Sequence, residues 1–120
     1  MQYVGVDIIE ISRIERLIKR WGKTFLQRVF TPAELRAYSN ASSLAARFAA
    51  KEAVLKALDA CDKGISWQDI EVLAEANGKP SVKLLRRAKL QAEESAIKRM
   101  NISLSHSKEY AVAFVVGETG

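Results

Sequence analysis

The chain of 120 residues holds one cysteine, Cys61, and one histidine, His106. A lone cysteine cannot staple the fold, and one cysteine with one histidine cannot build a structural zinc site, so any metal must be held by oxygen. No apolar run approaches the length needed to cross a bilayer. No charged-then-apolar leader precedes the first strand, which makes the cytoplasm the expected location. Aromatic residues make up 8% of the chain and are scattered at core-like spacings. They form no stacking platform, and no nucleic-acid recognition motif accompanies them. Internal repeats, low-complexity tracts and linkers are missing too, so residues 1–120 are expected to form a single domain.

What is present is a basic, globular composition. Nineteen Lys and Arg against fourteen Asp and Glu give a formal charge of +5, which suits a polyanionic partner: nucleic acid, a phosphorylated small molecule or an acidic protein. The 48% hydrophobic content is enough to bury a real core at this length.

Alternation from Tyr3 to Ile8 predicts a half-buried strand with Val4, Val6 and Ile8 on its apolar face and Asp7 pointing away. From about Ile9 the period turns helical. Ile11, Ile14, Leu17, Ile18 and Trp21 form one stripe, with Arg13, Arg16, Lys19, Arg20 and Lys23 opposite and Gly22 at the end. A short connection through Phe25 and Phe30 is expected next. Thr31-Pro32-Ala33-Glu34 is a capping box that opens a helix to about Tyr38. Ser42 or Ser43 is expected to cap the long Ala-rich helix that carries Arg47 to Lys56 and continues to Leu58. Asp59 to Gly64 reads as a loop.

Asp69 to Ala74 and Ser81 to Leu85 are expected to pair antiparallel across the turn Asn77-Gly78-Lys79-Pro80. Arg86 to Met100 is helical by composition, and Ile102 to Ser105 with Tyr110 to Val116 predicts a second hairpin. The order βαααββαββ is not that of a doubly wound sheet; the class is α+β, an antiparallel sheet packed against a long central helix.

On the long helix Phe48, Glu52, Leu55 and Lys56 share one side, so a carboxylate lies between two large apolar side chains with an ammonium beside it. An ordinary i,i+4 ion pair at the rim of a buried helix has the same spacing. Asp7, where a strand gives way to a helix, fits an N-terminal capping role or, with Glu52, the two carboxylates that a magnesium site requires. Lys56 would then be the natural phosphate partner. His106, between two serines in a hairpin connection, is either a turn residue or an anion contact, and the Gly78 to Pro80 turn offers open backbone and a cation. The basic face of the first helix suits solvent, nucleic acid or an acidic helix equally.

Taken together, Gly5-Val6-Asp7-Ile8-Ile9-Glu10-Ile11-Ser12-Arg13-Ile14, Phe30-Thr31-Pro32-Ala33-Glu34-Leu35, Arg47-Phe48-Ala49-Ala50-Lys51-Glu52-Ala53, Asn77-Gly78-Lys79-Pro80 and Ser103-Leu104-Ser105-His106-Ser107 resemble the holo-acyl-carrier-protein synthase family over nearly the whole chain. The resemblance implies a magnesium-dependent 4'-phosphopantetheinyl transferase. Such an enzyme moves the phosphopantetheine arm of coenzyme A onto a serine of apo acyl carrier protein, in fatty acid biosynthesis, and releases adenosine 3',5'-bisphosphate. It further implies that Asp7 and Glu52 ligate magnesium, and that Lys56 neutralises phosphate charge. Glu52 would help to deprotonate the serine, and Arg47, Gly78, Lys79, Pro80 and His106 would hold the nucleotide end. Arg13, Arg16 and Arg20 would dock the carrier protein. A homotrimer with active sites between protomers, and no nucleic acid or membrane partner, is implied as well. In place of the family's glycine-rich turn after the long helix, Leu58 to Ile65 carries Asp59 and Asp62, so no backbone cradle for coenzyme A is expected in this loop. The competing readings are a small basic nucleic-acid-binding domain and a non-catalytic module for an acidic protein.

Overall fold

The computed structural model describes residues 1–59 and 64–120, so Cys61, Asp62 and most of the expected loop after the long helix lie outside the described residues. The elements are β1 (Gln2–Glu10), α1 (Ile11–Trp21), α2 (Lys23–Val29), α3 (Pro32–Ala37), α4 (Ala41–Ala57) and a 3-10 turn over Trp67–Asp69. After the turn come β2 (Ile70–Ala74), β3 (Pro80–Leu84), α5 (Arg86–Glu94), β4 (Arg99–His106) and β5 (Tyr110–Glu118). One antiparallel sheet has the order β1-β5-β4, and β2 and β3 form a second antiparallel pair. The class is α+β, with both hairpins as the sequence predicts and α4 packed across β1 and β5.

The alternation of β1 is as expected, but its faces are inverted. Gly5 and Ile9 are buried toward α4, whereas Val4, Val6 and Ile8 are 53%, 50% and 63% exposed. Size explains the inversion. The inner face is built from Gly5, Ala111 and Ala113, all small, and α4 meets it with its own buried Ala49, Ala50, Ala53 and Ala57. A Cβ on Gly5 would stand 1.9 Å from the Ala53 carbonyl oxygen, so the helix backbone rests directly on the strand. At Gly5 a larger side chain would hold the two apart, and Val4, Val6 and Ile8 lie on the opposite face.

Helix α1 begins at Ile11, not near Ile9, and Gly22 ends it at φ +53°. Ile11 and Ile14 are buried, Leu17 and Ile18 are partly covered, and Trp21 is exposed under the Arg20 guanidinium, 5.1 Å from the ring centroid. The expected connection through Phe25 is instead the helix α2. Phe25, Leu26 and Val29 face the core at helical spacing, and the Phe25 ring meets Phe30 edge-on at 6.2 Å. The helical region therefore holds one helix more than the expected order βαααββαββ.

The capping box of α3 is formed in full: Thr31 N donates to Glu34 Oε1 at 2.8 Å, and Glu34 N donates to Thr31 Oγ1 at 3.2 Å. For α4 the cap is Asn40 rather than Ser42 or Ser43; its Oδ1 accepts from Ser43 N at 2.8 Å and from Ser42 Oγ at 3.0 Å. Helix α5 stops at Glu94, short of the expected Met100, because Arg99 and Met100 pair with Glu118 and Gly117 of β5. Pairing with a long neighbour outweighs the helical composition of that stretch.

Candidate functional site

Close approach at Gly5 brings the side chains two residues along β1 up to the last turns of α4. Asp7, on the inner face opposite Ala113, receives Lys56: Nζ donates to Asp7 Oδ1 at 3.0 Å and to the Val6 carbonyl at 3.0 Å. Asp7 does not cap α1, whose N-cap position is Glu10. Glu52 lies one helical turn before Lys56 and is half-buried. Burial pushes its carboxyl above the usual range, the nearby Asp7 charge pushes it further, and Trp67, Lys56 and Arg13 pull the other way. Two carboxylates from separate elements that repel each other, with lysine and arginine around them, form an oxygen-donor arrangement that suits a hard cation and a phosphate. Among the described residues no group of three or more His, Cys, Asp or Glu could hold a metal, so further ligands would have to come from substrate or water.

Glu52 also borders a cleft of about 440 Å³ between α1, α2 and α4. Phe25, Phe48, Leu17 and Trp67 give it apolar walls, and Arg13 and Arg28 stand at its edge. Trp67 and Arg28 are residues that the sequence reading missed. A signal existed for the first, since Ser66-Trp67-Gln68-Asp69 has the spacing of a capping box, and Ser66 N donates to Asp69 Oδ2 at 3.1 Å. Nothing in the sequence pattern marks Arg28.

Not every expected residue joins this centre. Arg47 lies over the Tyr38 ring, 3.7 Å from its centroid, with Nε buried and unpartnered. His106 is exposed at the end of β4, opposite Ala111 and therefore on the Asp7 face of the sheet. Gly78, at φ +87°, shapes an exposed turn in which Glu75 N donates to the Lys79 carbonyl at 2.8 Å. Among the described residues, no hydrogen bond or ion pair links Arg47, His106 or Gly78–Pro80 to Asp7, Glu52 or Lys56. Arg13, Arg16 and Arg20 are all exposed along α1, and Arg16 Nη1 donates to Ser12 Oγ at 3.3 Å.

One centre with two carboxylates and a lysine, beside an apolar cleft in an α+β frame, defines a class, and comparison with known proteins gives it a family. Residues 3–115 match the 4'-phosphopantetheinyl transferase superfamily, and the chain belongs to that superfamily. It is similar to the holo-[acyl-carrier-protein] synthases of Dehalococcoides mccartyi, 52% identical over 98% of this chain and 99% of that one, and Herpetosiphon aurantiacus, 48% identical over 98% of each. The solved holo-[acyl-carrier-protein] synthase of Helicobacter pylori, a complex with coenzyme A, superposes with a TM-score of 0.87 at 34% identity, over 96% of this chain and 99% of that one. That of Neisseria meningitidis does so at 0.84 and 37%, over 97% of each. The chain is thus an enzyme, a phosphopantetheinyl transferase of the holo-[acyl-carrier-protein] synthase type.

Proposed function

We propose that the enzyme transfers the 4'-phosphopantetheine group of coenzyme A to a serine of an apo acyl carrier protein and releases adenosine 3',5'-bisphosphate. The observation that carries this reading is the meeting of Asp7, Glu52 and Lys56, with Glu52 also bordering the cleft, in a chain whose relatives bear that activity in their names. In the transfer a bond forms between the serine oxygen and the β-phosphorus of coenzyme A. The bond from that phosphorus to the bridging oxygen breaks, and the bisphosphate leaves with that oxygen.

Asp7 and Glu52 are the residues that would hold magnesium, and their mutual repulsion and all-oxygen donor set fit it. When bound, magnesium supplies charge neutralisation at the diphosphate. Lys56 is already held on Asp7 and exchanges that partner for phosphate oxygen, placing a cation where charge moves during transfer. Glu52, whose proton affinity is raised, assists removal of the serine proton. Arg13, Arg16 and Arg20 give the acidic carrier a cationic landing face whose first member also borders the cleft.

Arg47, Gly78, Lys79, Pro80 and His106 hold the nucleotide end. Among the described residues no hydrogen bond or ion pair ties them to Asp7 or Glu52 within one chain, which favours sites completed by a neighbouring protomer. The outer sheet face supports the same assembly: Val4, Val6 and Ile8 lie beside Val116, Phe114 and Val112, an exposed apolar surface suited to a homotrimer. Among the described residues no helix is long and apolar enough to cross a membrane, in keeping with a cytoplasmic role in fatty acid biosynthesis. The test is to incubate the protein with coenzyme A, magnesium and an apo carrier and to weigh the carrier. A gain equal to one phosphopantetheine is expected; no gain with folded enzyme and competent carrier refutes the proposal.

A further inference from the structure

Among the described residues two buried side-chain nitrogens lack a hydrogen-bond partner, Arg47 Nε and Trp67 Nε1. The second is in the wall of the cleft that Glu52 borders. A buried N–H without an acceptor is costly, and such groups are retained mainly where they have something to do.

Trp67 is fixed on several sides. Its ring packs on Phe48, centroids 5.8 Å apart. Its carbonyl accepts from Lys51 Nζ at 3.0 Å, and that ammonium is clamped by Glu34 Oε1 at 2.8 Å. The 3-10 turn that begins with Trp67 is closed by Asp69, whose carboxylate takes Ser66 N at 3.1 Å and Arg86 Nε at 2.8 Å. A donor this firmly held, sharing a cleft with a carboxylate that makes no hydrogen bond among the described residues, can fix where that carboxylate points.

We infer that Trp67 is a positioning residue of the transfer site: its indole N–H, unpartnered in the structure, is the donor toward which Glu52 of the same cleft turns one oxygen, and the buried Lys51–Glu34 pair holds Trp67. The inference rests on the transferase reading of Glu52. One oxygen taken by the indole leaves the other for the shared centre with Asp7.

The chain has two tryptophans, so the 15N-labelled protein shows two indole N–H signals, assigned by Trp21→Phe. In Glu52→Gln the Trp67 signal is expected to move upfield, as the charged acceptor is lost, while the Trp21 signal stays. Trp67→Phe keeps an aromatic ring on Phe48 and loses only the N–H. It is expected to lower kcat about tenfold, the worth of one hydrogen bond, with KM for coenzyme A changed less than about twofold. An unmoved Trp67 signal in folded Glu52→Gln, or an unchanged kcat in Trp67→Phe, overturns the inference. So does a rise confined to KM, which would make Trp67 a wall for substrate. The spectrum needs no turnover, so a shifted signal in a wild type that transfers nothing would sink the transferase reading while leaving the indole–carboxylate contact in place.

Discussion

Helix α4 carries two lysines five residues apart, and each meets one carboxylate. Lys51 and Glu34 are both fully buried, whereas Lys56 is 54% and Asp7 18% exposed. The buried pair is saturated: Glu34 also accepts from Thr31 N and from Val72 N at 2.7 Å, and Lys51 also donates to the carbonyls of Trp67 and Ile70. Burial pulls the Lys51 ammonium below the usual lysine range, and Glu34 works against that pull. The open pair can trade partners at little cost, as an ion pair near water does. Similar chemistry thus gives a fixed tie in one place and an exchangeable pair in the other, and depth decides which.

The largest effect should come from breaking the buried tie. Glu34→Ala leaves Lys51 buried without its counter-charge and strips Thr31 and Val72 of an acceptor, so unfolding in denaturant should show a loss of about 3–5 kcal/mol. Gly5→Ala attacks the frame of the open pair. The new methyl meets backbone of Ala53 and Ala57, which cannot swing aside, and a loss of about 3 kcal/mol is expected in the same measurement. Asp7→Ala and Glu52→Ala test the open pair directly. Transfer should fall on the order of 10²-fold or more while the melting temperature holds or rises; full activity in both would refute the metal-site assignment.

Smaller effects sharpen the contrast further. Reversing Arg13 and Arg20 to Glu should raise KM for the carrier about tenfold at low salt, with the difference shrinking as salt is added and coenzyme A binding unaffected. The smallest concerns pH and stability. Glu52 has a raised folded pKa, so the folded state favours its protonated form and its charge disfavours the fold at neutral pH. Glu52→Gln should therefore stabilise the apoprotein at pH 7. The gain should shrink as pH falls through the raised value and vanish below the ordinary glutamate range, as followed by melting temperature against pH.

Much of this was legible in the sequence, for local reasons. Thr31-Pro32-Ala33-Glu34 encodes its own capping box, Asn77-Gly78-Lys79-Pro80 its own turn, and the Arg47 to Lys56 stretch its own helix, because each depends on contacts within a few residues. Asp7, Glu52 and Lys56 could be named from family motifs, and the structure brings them together. Phe25 to Val29 has helical spacing too, although the stretch between its flanking phenylalanines reads as a connection.

Other features were set by tertiary contact. Alternation along β1 fixed that Val4, Val6 and Ile8 share a face, but their exposure followed from α4 seeking the small residues on the other side. Composition made Arg99 and Met100 helical; β5 made them a strand. Sequence placed Lys51 and Lys56 on one helix and could not tell the fixed tie from the exchangeable pair, since burial is a property of what packs around a residue. The sequence by itself determined the long helix, the α3 capping box, the Asn77 to Pro80 turn and the pool of charged groups. The tertiary structure decided which strand face turned inward, which lysine lost its water and which indole was buried without an acceptor in the cleft of Glu52, because each depends on distance between parts of the chain far apart in sequence.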